Sequence, residues 1–263
     1  MKMLEYNMGD SIRAFSTMRG EGPGCYGGFN ITHYCGDSRQ HVAECRNKLC
    51  QELGIEDGRL LLPRQTHGCG TMFIDAEFMQ LPKNRQKELL QGIDAIATRL
   101  TDTCIGVSTA DCIPLLLHDC SRDAIAAIHA GWRGTVAGIA ARTITAMRER
   151  YGTEAESIKA VIAPGISLEA FEIGDEVYEE FAGAGFPMEL IAGRYPAATG
   201  GEKWHIDLWE ANRLQLVSAG VLPENIQVAG ICTYKEHERF FSARRLGINS
   251  GRIFSGIMIE SRD

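Results

Sequence analysis

Two apolar runs in close succession constrain this chain more than any other feature: residues 108–135 read STADCIPLLLHDCSRDAIAAIHAGWRGT. Runs of this length and composition, bounded by polar and glycine residues, read as buried neighbouring strands. Each carries a residue with metal-binding chemistry, Cys112 in the first and His129 in the second. With His67 of RQTHG, they make a candidate set of two imidazoles and one thiolate. Such N/S donors suit Zn²⁺, and three of them leave the fourth tetrahedral position open, which is a catalytic rather than a structural arrangement. Taken singly, each residue has a plainer reading, because a buried Cys is commonly an inert small hydrophobe. The surroundings argue for the site. Asp111 precedes Cys112 and AGWRG follows His129, and polar groups or glycines directly at strand ends are where α/β proteins place ligand sites.

The rest of the chain alternates between strand-like and helix-like patterns. Strands are expected at 71–74, 95–98, 104–108, 114–118, 124–129, 158–162, 226–231 and 253–259. Helical spacing runs over 40–53, 136–151, 175–181 and 208–219, with Asp175 as an N-cap and Gly152 and Gly220 as C-terminal stops. The glycine-rich stretch from Gly20 to Gly28 reads as a loop. Periodicity alone gives a mixed α/β fold. No Pro/Ser-rich linker or charge block divides the 263 residues, so one domain over 1–263 is expected, large enough to bury roughly three quarters of its unfolded surface.

An ordered series of segments carries a resemblance. THG, TADCIPLLL, HAGWRGT, IAPGISLEAFEIGDEV, IDLWEANRLQL and ICTYKEHERFFSARRLGINSGR are similar to the YfiH/YlmD family, also called laccase-domain or polyphenol oxidase proteins, from about Phe15 to Ile259. The resemblance implies a layered α-β-β-α sandwich with mixed sheets and a zinc ion held by His67, Cys112 and His129. It also implies purine nucleoside chemistry: phosphorolysis of adenosine, inosine or methylthioadenosine to base and sugar 1-phosphate, with adenosine deamination at the same site. Asn30 and Arg46 match polar positions that resemble the family's substrate pocket. The match departs from the family's usual FSTRxGG, ENR and RRDG at FSTMRGEG, Glu44-Cys45-Arg46 and Arg244-Arg245-Leu246-Gly247, so no role is carried over to Leu246.

Beside the ligand set, Gly131 and Gly134 bracket Arg133 where a strand enters the helix expected near Val136. Backbone N–H groups at a helix start together with a guanidinium form an anion site, which makes Arg133 a phosphate-binding candidate. Gln65 and Asp111, each next to a ligand, are candidates for orienting water or substrate. Zinc lowers the pKa of coordinated water to about 7, the chemistry that deamination at C6 of adenine requires.

Composition narrows the field. A net charge of −7 with scattered Lys and Arg offers no basic face to a nucleic-acid backbone. Nine cysteines, an odd number with no CxxC pair, in a chain that needs no staples argue for reduced thiols and a cytoplasmic setting. No stretch approaches the roughly 20 apolar residues of a membrane helix, and the N-terminus lacks a signal-peptide core. A multicopper oxidase is disfavoured by seven histidines with no HxH pair, although copper can displace zinc from an N/S site in vitro. A cysteine hydrolase or amidase with Cys112 as nucleophile and His129 or His67 as base stays open, including a peptidoglycan-precursor role. A non-catalytic binding module fits less well with so many polar groups at strand ends.

Overall fold

The computed structural model describes residues 1–22, 24–197 and 200–261. Two mixed sheets form its centre. One runs in the order β1 (Met3–Asn7), β2 (Ile12–Thr17), β14 (Ile253–Ile259), β6 (Cys104–Thr109) and β3 (Leu60–Leu61), antiparallel except for the parallel β3–β6 pair. The other runs in the order β13 (Ile226–Val228), β9 (Ile158–Ile162), β7 (Ile113–Asp119), β8 (Ala124–Ala130), β5 (Ala95–Thr98) and β4 (Thr71–Ile74), with parallel pairs only at its two edges. A small antiparallel sheet of β10 (Glu172–Ile173), β12 (Glu202–Ile206) and β11 (Ala192–Pro196) lies apart from both.

The period-2 alternation of side chains builds the layers. On β8, Ile125 and Ala127 join Ile105, Val107, Ile257 and Ile259 in the core between the large sheets, whereas Ala124, Ala126, Ile128 and Ala130 face the opposite side. That side is covered by α5 (Ile139–Tyr151), α6 (Asp175–Gly183) and α8 (Leu208–Ser218), through Ile144, Met147, Phe181 and Leu216. The outer face of the first sheet buries Phe15, Phe254 and Met258 against Cys45, Leu49 and Leu53 of α1 (Arg39–Leu53). The result is the layered α-β-β-α sandwich of a single mixed α/β domain. Among the described residues no helix is long and apolar enough to cross a membrane.

The long apolar strands match the expected bounds to within a residue, save one. The run expected over 226–231 leaves the sheet after Val228, where Ala229 N–H still reaches the Ile162 carbonyl but Gly230 turns the chain with φ 65°. The helix expected over 136–151 is two: α4 (Trp132–Val136) begins directly after Gly131, and Gly138 at φ 76° breaks the path before α5. Gly174, not Asp175, is the N-cap of α6, and Asp175 sits in its first turn, where a carboxylate favours the helix dipole. Gly152 does close α5 in the left-handed conformation, and Gly220 follows the last turn of α8 with its N–H on Val217. Unforeseen elements are the largely buried β2 and a set of short or half-exposed ones: β1, β3, the small sheet, α2 (Ala76–Gln80), α3 (Lys83–Leu89), α7 (Met188–Ile191) and α9 (Ala243–Leu246).

Two glycines set the packing under α1. Gly106 pairs directly with Gly256, which also opposes Phe15 on β2. A Cβ at Gly106 would overlap the Phe254 ring, and one at Gly256 would overlap the Phe254 ring and crowd that of Phe15. Gly106→Ala is therefore expected to destabilise the protein by about 1–3 kcal/mol, the usual range for overpacking a core. Thermal melting tests this, with a drop of several degrees expected; an unchanged midpoint would show that the strands yield at no cost.

Candidate metal centre

Strand register brings the candidate ligands together. β7 and β8 pair with Ile113 opposite Ala130 and Pro114 opposite His129, so Cys112, just before β7, emerges at the same sheet end as His129. On the other side of β8, Ala95 opposes Ile128, which sets Asp94 beside His129, and His129 N–H donates to the Asp94 carbonyl at 2.7 Å.

The Asp94 side chain does more than its backbone. One carboxylate oxygen lies 2.7 Å from His129 Nδ1, and the two oxygens accept from the N–H groups of Thr66 at 3.1 Å, His67 at 2.9 Å and Gly68 at 2.9 Å. This buried anion thus fixes the THG loop and one imidazole at once. A carboxylate on Nδ1 keeps the proton there and leaves Nε2 as the free ligand atom. His67 adopts φ 63°, a left-handed backbone that His enters more readily than most residues but still uncommon. The cradle of backbone donors around Asp94 holds it there.

The resulting group is compact. Ligand atoms of His67, Cys112 and His129 all lie within 4.8 Å of one another, with Cys112 Sγ 3.8 Å from His67 Nε2. Tetrahedral bonds of the usual Zn–N and Zn–S lengths put ligand atoms roughly 3.3–3.8 Å apart, so the set fits a zinc-sized ion with little movement. A Cβ on Gly131 would stand 2.8 Å from His67 Cδ2 and 3.2 Å from Cys112 Sγ; only glycine leaves that space clear. His129 is buried, Cys112 half-buried and His67 exposed, so the group opens to solvent on the His67 side.

Charge follows from this geometry. Burial opposes ionisation of both Cys112 and His129, yet each stabilises the other's charge: the thiol is pulled down to about 6 and the imidazole pushed up to about 9, with Asp94 and His67 contributing. Burial likewise opposes the Asp94 carboxylate, but His129 and the Thr66 and Gly68 N–H groups hold it below the ordinary carboxylate value. The site is ready to present a thiolate.

Other candidates are placed differently. Gln65 accepts from Ser108 N–H at 2.9 Å and hydroxyl at 3.1 Å and donates to the Ser108 carbonyl at 2.9 Å, fastening the His67 loop to β6. Asp111, at φ 90°, accepts from the Thr233 hydroxyl and the Arg244 N–H, both at 2.7 Å. It ties two C-terminal segments to the residue before Cys112. Arg133 is exposed and stacks 4.2 Å over the Trp132 ring, on a helix that starts earlier than expected. Arg46 donates its Nε to the Ile31 carbonyl at 3.0 Å and lines a cavity with Asp57, Lys83 and Lys87. Asn30 is fully buried: its amide N–H₂ donates to the Thr32 carbonyl and Asp37, both at 2.8 Å, and its oxygen accepts from Arg252 N–H at 2.8 Å. Both polar atoms of the Asn30 side chain are committed to the protein. Sequence reasoning missed Asp94, whose one signal is a carboxylate placed directly before the AIAT strand.

The chain is similar to known proteins along nearly its whole length. The family model described as multi-copper polyphenol oxidoreductase laccase matches residues 13–260. A purine nucleoside phosphorylase of Bacteroides thetaiotaomicron is 45% identical over 264 residues, covering 98% of this chain and 97% of its own. Adenosine deaminase RL5, from an unknown prokaryotic organism, is 46% identical over 250 residues and 94% of each chain. The crystal structure of the Bacillus licheniformis hypothetical protein YfiH superimposes with a TM-score of 0.88 at 26% identity, covering 98% of this chain and 96% of that one. With an end-to-end sequence match and the same fold, this chain belongs to the multi-copper polyphenol oxidoreductase laccase family of enzymes, the family of YfiH and YlmD.

Proposed function

We propose that the chain is a zinc-dependent purine nucleoside phosphorylase that also deaminates adenosine. Its substrates are adenosine, inosine or methylthioadenosine with inorganic phosphate, and its setting is the cytoplasm, in keeping with nine free cysteines. The observation that carries this reading is the convergence of His67, Cys112 and His129 around one point, with Asp94 fixing two of them. Zinc held there supplies Lewis acidity and lowers the pKa of water.

Each reaction places distinct demands on the chain. In phosphorolysis a phosphate oxygen bonds to the anomeric carbon as the N-glycosidic bond breaks, and the departing base takes up a proton. Cationic side chains must hold the phosphate in line, the part assigned to Arg133 and Arg46. In deamination an oxygen from water replaces the C6 amino group, which leaves as ammonia. Asp94 keeps His129 in the tautomer whose Nε2 faces the metal position, while Gln65 and Asp111 hold the flanking loops.

One observation favours a second reading. A Cys112 thiol lowered to about 6 beside an imidazole raised to about 9 is also how a cysteine nucleophile is activated. Metal content separates the two, because a thiolate engaged by zinc is not free to attack. The copper oxidase reading has less support, since the described residues contain one ligand cluster where several coppers would need several; copper in vitro would compete for that same N/S set.

Purified without added metal, the protein is expected to carry about one zinc per chain, and Cys112→Ala or His129→Ala to lose most of it while still folding. Full zinc in both variants would overturn the ligand assignment. Asp94→Asn keeps the shape but removes the charge that orients His129, so metal affinity is expected to fall about 10–100-fold, read by competition with a chromogenic chelator. Unaltered affinity would make Asp94 a loop anchor only.

Incubated with adenosine and phosphate, the zinc-loaded enzyme is expected to release adenine and ribose 1-phosphate with some inosine, resolved on one chromatogram. Unchanged adenosine, together with cleavage of a small amide that iodoacetamide labelling of Cys112 abolishes, would establish the hydrolase instead.

A further inference from the structure

Around the loop after Asn30, positive charge gathers without ion-pair partners. His33 and Tyr34 are exposed with their rings 4.7 Å apart, and the Arg64 guanidinium lies 4.7 Å over the Tyr34 ring. Arg46 reaches the same loop through its bond to the Ile31 carbonyl at 3.0 Å. Arg64 bonds through its backbone to Leu90 and Gly92 and bridges to Gln91. Gln91 in turn donates its side-chain amide to the carbonyl of Lys87, on α3. Arg39 opens α1, two residues after Asp37. Three separate segments therefore deliver cations to one place, and after burial it is Arg39, Arg46, Arg64 and Lys87 that hold the His33 imidazole below its ordinary value.

The chain carries a net −7, and Arg13, Arg85, Arg150, Arg213 and Arg239 all sit against carboxylates. None of Arg39, Arg46, Arg64 and Lys87 forms an ion pair among the described residues. Asp57 lines the cavity beside Arg46, and Asp37 is engaged by His41 and Asn30. Four cations held close together at a cost in mutual repulsion suit an anion, and guanidinium groups suit phosphate above others. Arg64 is three residues from His67, at most about 11 Å between Cα atoms along the chain, so one short segment carries both a cation of the cluster and a member of the ligand group.

We propose that His33, Arg39, Arg46, Arg64 and Lys87 form a phosphate-binding subsite beside the metal centre. The inference deepens the nucleoside reading and moves the phosphate from Arg133 to the α1–α3 side. Its ligand chemistry is a phosphate oxyanion, supplied either by inorganic phosphate as co-substrate or by the ester group of a nucleoside monophosphate.

Isothermal titration of the zinc-loaded full chain with inorganic phosphate, adenosine and adenosine 5′-monophosphate tests it, comparing the native protein with Arg64→Gln/Lys87→Gln and Arg133→Ala. Phosphate binding is expected to weaken about tenfold or more in the double variant, with adenosine binding affected far less and zinc content and melting temperature held. In the native protein, a monophosphate that binds more tightly than adenosine assigns the subsite to an ester, and one that binds no more tightly assigns it to free phosphate. Should the double variant fold poorly, Arg39→Gln and Lys87→Gln singly, both at exposed helix positions, provide the same reading. Phosphate binding that survives the double variant but falls in Arg133→Ala would overturn the proposal, as would a native protein that binds neither phosphate nor the monophosphate. Because binding is read without turnover, a failure to release adenine with phosphate binding intact would count against the reaction and for the subsite.

Discussion

A single buried carboxylate organises this protein's chemistry. Asp94 has no exposure to water and spends its charge on His129 and on the N–H groups of the THG loop. Leaving such an anion in the interior without those partners would be costly, so the loop and the imidazole are drawn to it as firmly as it is to them. His67 pays backbone strain to take part, at φ 63°. The His67 and His129 rings then meet edge to face at 4.8 Å, and the sulfur of Cys112 completes a group that none of its members could form alone.

The hydrogen-bond ladder supplies what Asp94 cannot. Antiparallel pairing of β8 with both β7 and β5 puts Cys112 and Asp94 on either side of His129 at one sheet end. Asp111 and Gln65 then tie outlying segments to the residues on which this end depends. The bonds they make run to the protein's own segments, so their contribution lies in placing the residues of this sheet end.

Legibility of the sequence followed unbroken apolar runs rather than burial alone, since β2 is largely buried but its IRAFST mixes polar and apolar residues. Strands such as Leu115–Leu117 and Ala124–Ile128 are apolar on both faces because each face meets a core, and such runs announce themselves. His67, Cys112 and His129 could be singled out because their side chains are chemically rare in those settings. Asp94 could not, because its partners lie 26 to 28 residues earlier in the chain and no local spacing encodes that bond. The edge strand β1, with Glu5 outward and Tyr6 inward, and the half-exposed β11 and β12 carry too little apolar contrast to stand out. The early start of α4 was hidden for a different reason, since Gly131 and Gly134 mask a helix whose residues are chosen for the site beside it. The cations around His33 escaped notice because they come from α1, the segment before His67 and α3, and only the fold sums their charge.

His129 shares the parity of Ile125 and Ala127 on β8, the residues that face the other large sheet. A strand displaced by one residue exchanges its two faces, so a β8 paired one step out of place would carry the imidazole away from Asp94 and Cys112 together. The helix-facing and sheet-facing cores on either side of β8 forbid that displacement, because alanines and isoleucines would trade places in both. Hydrophobic packing far from these side chains thereby acts as a proofreader of this sheet end: a chain that seats His129 between Asp94 and Cys112 has already certified the alignment of its central sheet.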